Sequence, residues 1–198
     1  MKRKFKKLVD SNTMVYFILK LNSKMHICEV KKDVKNRGVF KVIKYNVTLK
    51  ELPKRTVASV RKIIPSYNHE SMLWGILMEE GAPLNIQPDD PCYTLAIFHD
   101  GEHKESNVDV EIQKSVKGTY SNTKNIIFKT VEPILMASAT YKGSYDQIYE
   151  VNEAVANWVR DNDYAFDGLS FCIYHVSPHE TQNPEELVTE VCYPVRKK

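Results

Sequence analysis

From Tyr45 onward the sequence contains the same order of predicted elements twice. An alternating segment runs up to a proline at Pro53 and again at Pro133, and a second alternating segment follows each proline. Because proline cannot donate a ladder hydrogen bond, each one marks a kink or bulge between two strands. A helical segment and two more strand-like segments follow in both halves. The chain is therefore predicted to contain a β-β-α-β-β unit duplicated in tandem.

The periodicity of each half predicts where its elements lie. Asn68 is expected to cap a helix that Gly81 ends. In the second half, Ser144 and Gln147 match a capping box, and the helix is expected to run to about Asp161. The predicted strands are residues 47–52, 56–64, 92–99 and 108–116, then 126–132, 134–141, 169–176 and 186–195. This order predicts an α+β fold of duplicated βαββ units, with a curved antiparallel sheet and helices on one face.

The domain is predicted to cover residues 45–198, with repeats at about 45–117 and 126–196, after a basic N-terminal extension at 1–44. The extension holds 13 Lys and Arg and 3 acidic residues, so the rest holds 28 − 13 = 15 basic and 25 − 3 = 22 acidic residues. Segment 15–21 is predicted as a short helix or strand, and 26–30 and 39–43 as strands. The acidic body favours cationic ligands over anionic ones.

Two strands carry a glutamate among apolar neighbours. Glu190 lies in the middle of the last strand, and Glu111 lies in a similar frame in the strand at 108–116. A carboxylate at such a position either points to water or faces a cavity built to hold it. Glu111 and Glu190 are therefore predicted to be repeat mates.

Composition favours a globular protein without a metal or cofactor. None of the four cysteines forms a CxxC pair, and His99 and His175 are interpreted as strand-end residues, because no third ligand has suitable spacing. No apolar run approaches the ~20 residues of a membrane-spanning helix, so a cytoplasmic location without membrane association is predicted. The sequence contains no nucleophile elbow and no phosphate loop.

The segment 45–195 resembles the GyrI-like, or AraC-type, effector-binding domain family, which also occurs in multidrug-sensing MerR-type transcriptional regulators. The resemblance rests on four stretches, which are residues 47–58, 93–100, 108–111 and 186–195. It implies two βαββ repeats around a pseudo-twofold axis, with a central groove that receives lipophilic small molecules that are cationic or aromatic.

The resemblance implies that Glu190 pairs with the cation of the ligand, because an acidic residue of the last strand commonly lies in the groove. Cys192 occupies a position where the family often has an aromatic residue. Glu111 is a further candidate through its symmetry with Glu190. Aromatic side chains add cation–π attraction. The candidates for the walls are Trp74, Phe98, Tyr145 and Tyr174.

Each wall candidate has a competing interpretation. Trp74 lies on the first helix, where a place in the core is the default interpretation. Phe98 and Tyr174 are repeat mates that face the side opposite Ile97 and Ile173, and they line the concave face if the helices cover the isoleucine side. Tyr145 lies close to the start of the second helix.

Residues 1–44 do not contain the DNA-binding domain and linking helix of the family's regulators. We therefore expect a stand-alone or truncated sensor that does not bind DNA directly, with a regulator partner or an upstream DNA-binding domain as alternatives. Two further hypotheses stay open: a stand-alone hydrolase that uses Glu190 as general base with Tyr145, and a gyrase-inhibitor-type module that binds another protein.

Overall fold

The computed structural model describes residues 45–198 throughout and the backbone of residues 6–9, 14–21 and 24–31. The chain divides into two compact units, residues 1–44 and residues 45–198. No helix among the described residues is long and apolar enough to cross a membrane.

The described part of the first unit is a three-stranded antiparallel sheet. Its strands are β1 (Lys6–Val9), β2 (Met14–Leu21) and β3 (Lys24–Lys31), with β2 in the centre. The segment predicted as a short helix or strand is thus a strand, and the strand predicted at 26–30 lies within β3. The strand predicted at 39–43 lies outside the described residues.

The second unit contains ten strands and two α-helices. Its first half has β4 (Val47–Leu52), β5 (Arg55–Ile64), α1 (Ser71–Gly81), β6 (Gln87–Pro88), β7 (Thr94–Phe98) and β8 (Val108–Lys117). Its second half has β9 (Ile127–Val131), β10 (Ile134–Lys142), α2 (Ile148–Asp161), β11 (Tyr164–Phe166), β12 (Phe171–Val176) and β13 (Val188–Lys197). The predicted α+β class is therefore confirmed.

The order of strands in the main sheet is symmetric between the two halves. Neighbouring strands run β4-β10-β13-β12-β7-β8-β5-β9, all antiparallel, with β6 beside β8 and β11 beside β13. The equivalent strands of the two halves are β4 and β9, β5 and β10, β7 and β12, and β8 and β13. If each is exchanged with its equivalent, the same order is obtained in reverse. A pseudo-twofold axis therefore passes between β7 and β12.

The first strand of each half pairs with the other half. β4 lies beside β10, with Leu49 opposite Ala137, and β9 lies beside β5, with Lys129 opposite Val57. The corners at Pro53 and Pro133 direct this exchange, because each proline ends one strand just before the next begins. Each half consequently supplies one outer strand, which pairs with a strand of the other half.

Both helices lie on one face of the curled half-barrel sheet. Leu73 and Leu77 of α1 pack on a core that includes Val110 and Ile112 of β8. In the same way α2 packs on β10, β12 and β13 through Val151, Val155 and Val159. The opposite face has its own buried cluster, which contains Leu52, Leu95, Met136, Phe171, Ile173 and Cys192.

The starts of the helices differ from the prediction. A 3-10 turn at Tyr67–His69 precedes α1, and the residue before the helix is Glu70, so Asn68 does not cap it. The side chain of Ser144 accepts a hydrogen bond from the backbone N–H of Asp146 at the start of a second 3-10 turn, and the N–H of Gln147 bonds to the Ser144 carbonyl rather than to its side chain. α2 ends at Asp161 as predicted.

Candidate functional site

Glu190 is buried in a network of donors on β4, β10 and β12. Its Oε1 accepts hydrogen bonds from Lys50 Nζ at 2.8 Å and Ser138 Oγ at 2.5 Å, and His175 Nε2 lies 2.9 Å from Oε2. Burial alone would raise the pKa of Glu190, but the bonds from His175, Lys50 and Ser138 together lower this pKa to about 2. Glu190 is therefore a carboxylate whose charge is already balanced within the protein.

Glu111 has the same surroundings in the first repeat. Ser59 Oγ, Lys129 Nζ and Gln113 Nε2 donate to Oε1 at 2.7, 2.6 and 2.7 Å, and His99 Nε2 lies 2.9 Å from Oε2. Burial again opposes ionisation, and the bonds from Lys129, Gln113 and Ser59 lower the pKa of Glu111 to about 2. Each glutamate thus lies in a Glu-Lys-Ser-His cluster.

The two clusters lie on the sheet face opposite the helices. Glu111 stands between Val110 and Ile112, which both belong to the core under α1. Glu190 precedes Val191, which packs under α2. Because side chains alternate along a strand, both carboxylates point away from the helices. Cys192 points the same way and is buried in the apolar cluster of that face.

The four aromatic candidates converge on the helix side, close to the pseudo-twofold axis. Tyr174 contacts Trp74 and Tyr145 edge to face, with ring centroids 6.5 and 6.1 Å apart. Phe98 packs against both helix cores and contacts Tyr67 edge to face at 5.7 Å. The helices therefore cover the Phe98 and Tyr174 side of the sheet, not the Ile97 and Ile173 side.

Glu70 lies within this aromatic cluster and was not a sequence candidate. Trp74 Nε1 donates to its Oε1 at 2.9 Å, and Tyr174 Oη donates to its Oε2 at 2.8 Å. Burial raises the pKa of Glu70, and these two hydrogen bonds reduce that rise only in part. Among residues 45–198, no Lys, Arg or His side chain forms an ion pair with Glu70.

Burial also affects the two phenols of the cluster. Burial and the nearby Glu70 carboxylate raise the pKa of Tyr145 to about 12, and they also raise the pKa of Tyr174 well above its ordinary value. Both phenols are therefore neutral at physiological pH. Tyr174 can then act as a hydrogen-bond donor to Glu70 without adding negative charge.

The acidic site comes from asymmetry between the repeats. Leu73 and Val151 are the first buried residues of α1 and α2, and counting back from them aligns Glu70 with Ile148. The first repeat thus supplies a carboxyl group where the second has an aliphatic side chain. The cluster combines Glu70 and Trp74 from one repeat with Tyr145 and Tyr174 from the other.

The structure does not bring Glu190 and the aromatic candidates together, because the sheet lies between them. The same separation applies to Glu190 and Tyr145, the pair of the hydrolase hypothesis. Sequence reasoning missed Glu70 because it lies in the turn before a helix, outside any alternating strand. Its i,i+4 spacing to Trp74 was the available signal.

With this fold and geometry, residues 45–196 match the model of the GyrI-like small molecule binding domain family, and the chain belongs to that family. Among solved structures it is similar to the EcmrR C-terminal domain, with 30% identity and a TM-score of 0.74, over 79% of this chain and 100% of that one. The chain is thus structurally like the effector domain of a MerR-type regulator.

Two further structures extend the comparison. EcmrR in its complex with DNA matches with the same identity and TM-score, but this chain covers only 59% of that one. SAV2435, solved bound to tetraphenylphosphonium, is 12% identical with a TM-score of 0.53, over 76% of this chain and 94% of that one, and it shows a shared fold. No curated protein sequence matches the chain.

Proposed function

We propose that residues 45–198 bind a lipophilic aromatic cation on the helix side of the sheet, with Glu70 as the charge partner of the cation. The observation that carries this proposal is a carboxyl group with a raised pKa, surrounded by aromatic rings and without an ion-pair partner in that unit. A ligand cation would supply the missing positive charge.

The aromatic rings around Glu70 fit the same class of ligand. Trp74, Tyr174 and Tyr145 present π-faces and edges near the carboxyl group. Each ring placed over a cation contributes about 0.5–2 kcal/mol of attraction. The phenols at 145 and 174 stay neutral, so the site offers one negative charge with apolar walls.

Glu190 is a weaker candidate for this role. Lys50 already pairs with it, so a ligand cation would have to displace a protein cation. The same holds for Glu111 and Lys129. Binding at Glu70 would displace no protein cation, and Trp74 and Tyr174 would exchange their hydrogen bonds to the carboxyl group for contacts with the ligand.

Tetraphenylphosphonium is a suitable probe, because SAV2435, which has the same fold, was solved bound to it. The sequence has two tryptophans, so Trp158→Phe leaves Trp74 as the reporter inside the proposed site. We expect saturable quenching or enhancement of Trp74 fluorescence on titration. Glu70→Gln should weaken binding by at least about tenfold, because it removes the charge but keeps the shape.

Glu79→Gln is the matched control, because Glu79 is an exposed glutamate on α1, the helix that follows Glu70. It removes the same charge without touching the aromatic cluster and should change affinity by less than about twofold. Equal loss of affinity in both variants would show that only the overall charge of the domain matters, and the proposal for Glu70 would fail.

A further inference from the structure

A second site candidate lies around Glu111, beside β9 and the part of β5 that follows Ser59. An open cavity of about 390 Å³ is lined by Ser59 and Glu111 and by four cationic side chains, which are Arg61, Lys62, Lys124 and Lys129. Its volume falls within the range of small-molecule sites, roughly 300–1,000 Å³. The cavity shares no lining residue with the aromatic cluster around Glu70.

Two of the four cations are neutralised by neighbours. Lys129 pairs with Glu111 at 2.6 Å, and Arg61 forms a bidentate pair with Asp109 at 2.9 and 2.7 Å. Lys62 donates to the neutral Asn125 Oδ1 at 2.7 Å. Neither Lys62 nor Lys124 has an ion-pair partner among the described residues.

The loop that carries Lys124 is held in place at the rim. Glu80 accepts hydrogen bonds from Thr123 Oγ1 and from the backbone N–H of Asn125, and Thr123 Oγ1 accepts from the N–H of Ile126 at 2.9 Å. With Glu80, Asp109 and Glu111 all counted against the four cations, one positive charge remains in excess, in a unit whose net charge is 15 − 22 = −7.

The second repeat shows which of these residues the fold itself needs. Its cluster repeats the serine, glutamate, histidine and lysine of the first, so those residues belong to the scaffold. Arg61 lies opposite Glu111 in the β5–β8 register, and its mate opposite Glu190 is Thr140. Lys124 precedes Lys129 by five residues, and the residue five positions before Lys50 is Tyr45. Lys124 therefore corresponds to an uncharged tyrosine at the other cluster.

The extra cations therefore surround Glu111 and have no counterparts around Glu190, so the duplicated fold does not need them. Lys62 also has no cationic counterpart. It follows Arg61, and the residue that follows Thr140 in the second repeat is Tyr141. These positive charges are not needed for the fold, and they surround a cavity in a unit that is otherwise acidic. They therefore indicate a ligand with negative charge. Ile127, which is 47% exposed, adds an apolar surface to the lining.

We propose that this cavity binds a small organic phosphate, with the phosphate group on Lys62 and Lys124 and the organic part against Ile127. Lysine binds phosphate through its compact ammonium charge. The negative charge of Glu111 stays on the floor of the cavity, where the donors described above already occupy its oxygens, and the phosphate binds at the rim.

Isothermal titration of the full chain with glucose 6-phosphate, inorganic phosphate and glucose tests the proposal. Saturable binding is expected for glucose 6-phosphate, with weaker binding of inorganic phosphate and none of glucose. The double variant Lys62→Gln/Lys124→Gln should weaken binding by at least about tenfold. Lys117→Gln/Lys142→Gln, which removes two exposed lysines elsewhere in the unit, should change it by less than about twofold.

Three results would overturn the proposal. They are no saturable binding of either phosphate by the unaltered chain, equal weakening by both double variants, and tighter binding of a short DNA duplex that the Lys62→Gln/Lys124→Gln variant alone loses. The last result would assign the cations to nucleic acid. All four substitutions replace exposed side chains, and circular dichroism checks that each variant is folded.

Discussion

At the scale of single residues, three glutamates of this fold differ in what balances their charge. Glu111 and Glu190 each have a lysine and further donors, whereas Glu70 has a tryptophan and a tyrosine. The first two carboxylates are stabilised in their ionised form and the third in its neutral form. The proposed ligand cation belongs at the carboxyl group whose charge the protein leaves uncompensated.

Binding of tetraphenylphosphonium should depend on pH through Glu70. Its pKa in the free protein lies above the ordinary value of 4.5, and the cation favours the ionised form. Affinity should therefore rise as pH increases from about 4.5 through the raised pKa, by up to about tenfold per pH unit, and then level off. Fluorescence titrations at a series of pH values measure this dependence.

Glu70→Gln should bind weakly at every pH, whereas Glu79→Gln should keep the dependence. The Glu70→Gln variant is expected to fold, because a raised folded-state pKa means that ionised Glu70 costs stability as pH rises above 4.5. A pH dependence that persists in Glu70→Gln would show that another group titrates with binding.

Glu111 and Glu190 should make the fold sensitive to acid. Their pKa values fall from 4.5 to about 2 on folding, so they stabilise the fold above pH 4.5 and lose this effect as pH falls toward 2. A shift of this size corresponds to at most about 3 kcal/mol for each residue. Urea unfolding of the unaltered chain at pH 7 and pH 3 should show the loss.

Glu190→Gln should be less stable at pH 7 and should lose less stability between pH 7 and pH 3. Glu185→Gln, at an exposed position, is the control and should follow the unaltered chain. Equal pH sensitivity of Glu190→Gln and the unaltered chain would mean that the cluster around Glu190 does not stabilise the ionised form.

At the scale of secondary-structure elements, the exchange of β4 and β9 joins the two repeats into one sheet. Leu52 of β4 is 1% exposed and packs against Met136 and Cys192 of the second repeat. Leu52→Ala should lower the free energy of unfolding by about 2–5 kcal/mol. Leu49→Ala, on the same strand but 37% exposed, should lower it by less than about 1 kcal/mol.

Because β4 connects the repeats, Leu52→Ala should destabilise both of them together. Trp74 reports on the first repeat and Trp158 on the second, so single-tryptophan variants can follow each one. Their denaturant midpoints should shift by the same amount. A shift seen by only one tryptophan would mean that the repeats unfold separately.

At the scale of the whole molecule, the sequence predicts the architecture better than the site. Alternation and the two prolines locate the duplicated strands, since both are local signals. The surroundings of Glu190 are not local, because Lys50 and Ser138 lie 140 and 52 positions away. Ser138 meets Glu190 through the pairing of β10 with β13, and Lys50 through the exchange of β4. The sequence therefore shows that Glu190 is a glutamate among apolar residues. The groups that balance its negative charge are seen only in the folded structure.

Glu70 illustrates the opposite case. Only its i,i+4 spacing to Trp74 distinguishes Glu70, within its local sequence, from a surface glutamate at the start of a helix. Its hydrogen-bond partners are Trp74, four residues away, and Tyr174, across the repeat interface. The aromatic surroundings of Glu70 therefore form only in the folded chain. The four aromatic candidates were predicted separately, and the carboxyl group that they surround was not.

All ten strands of the second unit and all the residues of the proposed cation site lie within residues 45–198. A chain of residues 45–198 alone should therefore unfold cooperatively and bind tetraphenylphosphonium with an affinity within about twofold of that of the full chain. Calorimetric unfolding and fluorescence titration check both points. A loss of affinity beyond about tenfold in a folded short chain would assign part of the site to residues 1–44.

The most direct test compares tetraphenylphosphonium affinity in Glu70→Gln and Glu190→Gln, both in the Trp158→Phe background and at a temperature where both are folded. We predict a loss of at least about tenfold for Glu70→Gln and less than about twofold for Glu190→Gln. Unchanged affinity in Glu70→Gln together with lost affinity in Glu190→Gln would contradict the assignment and move the cation to the other face of the sheet.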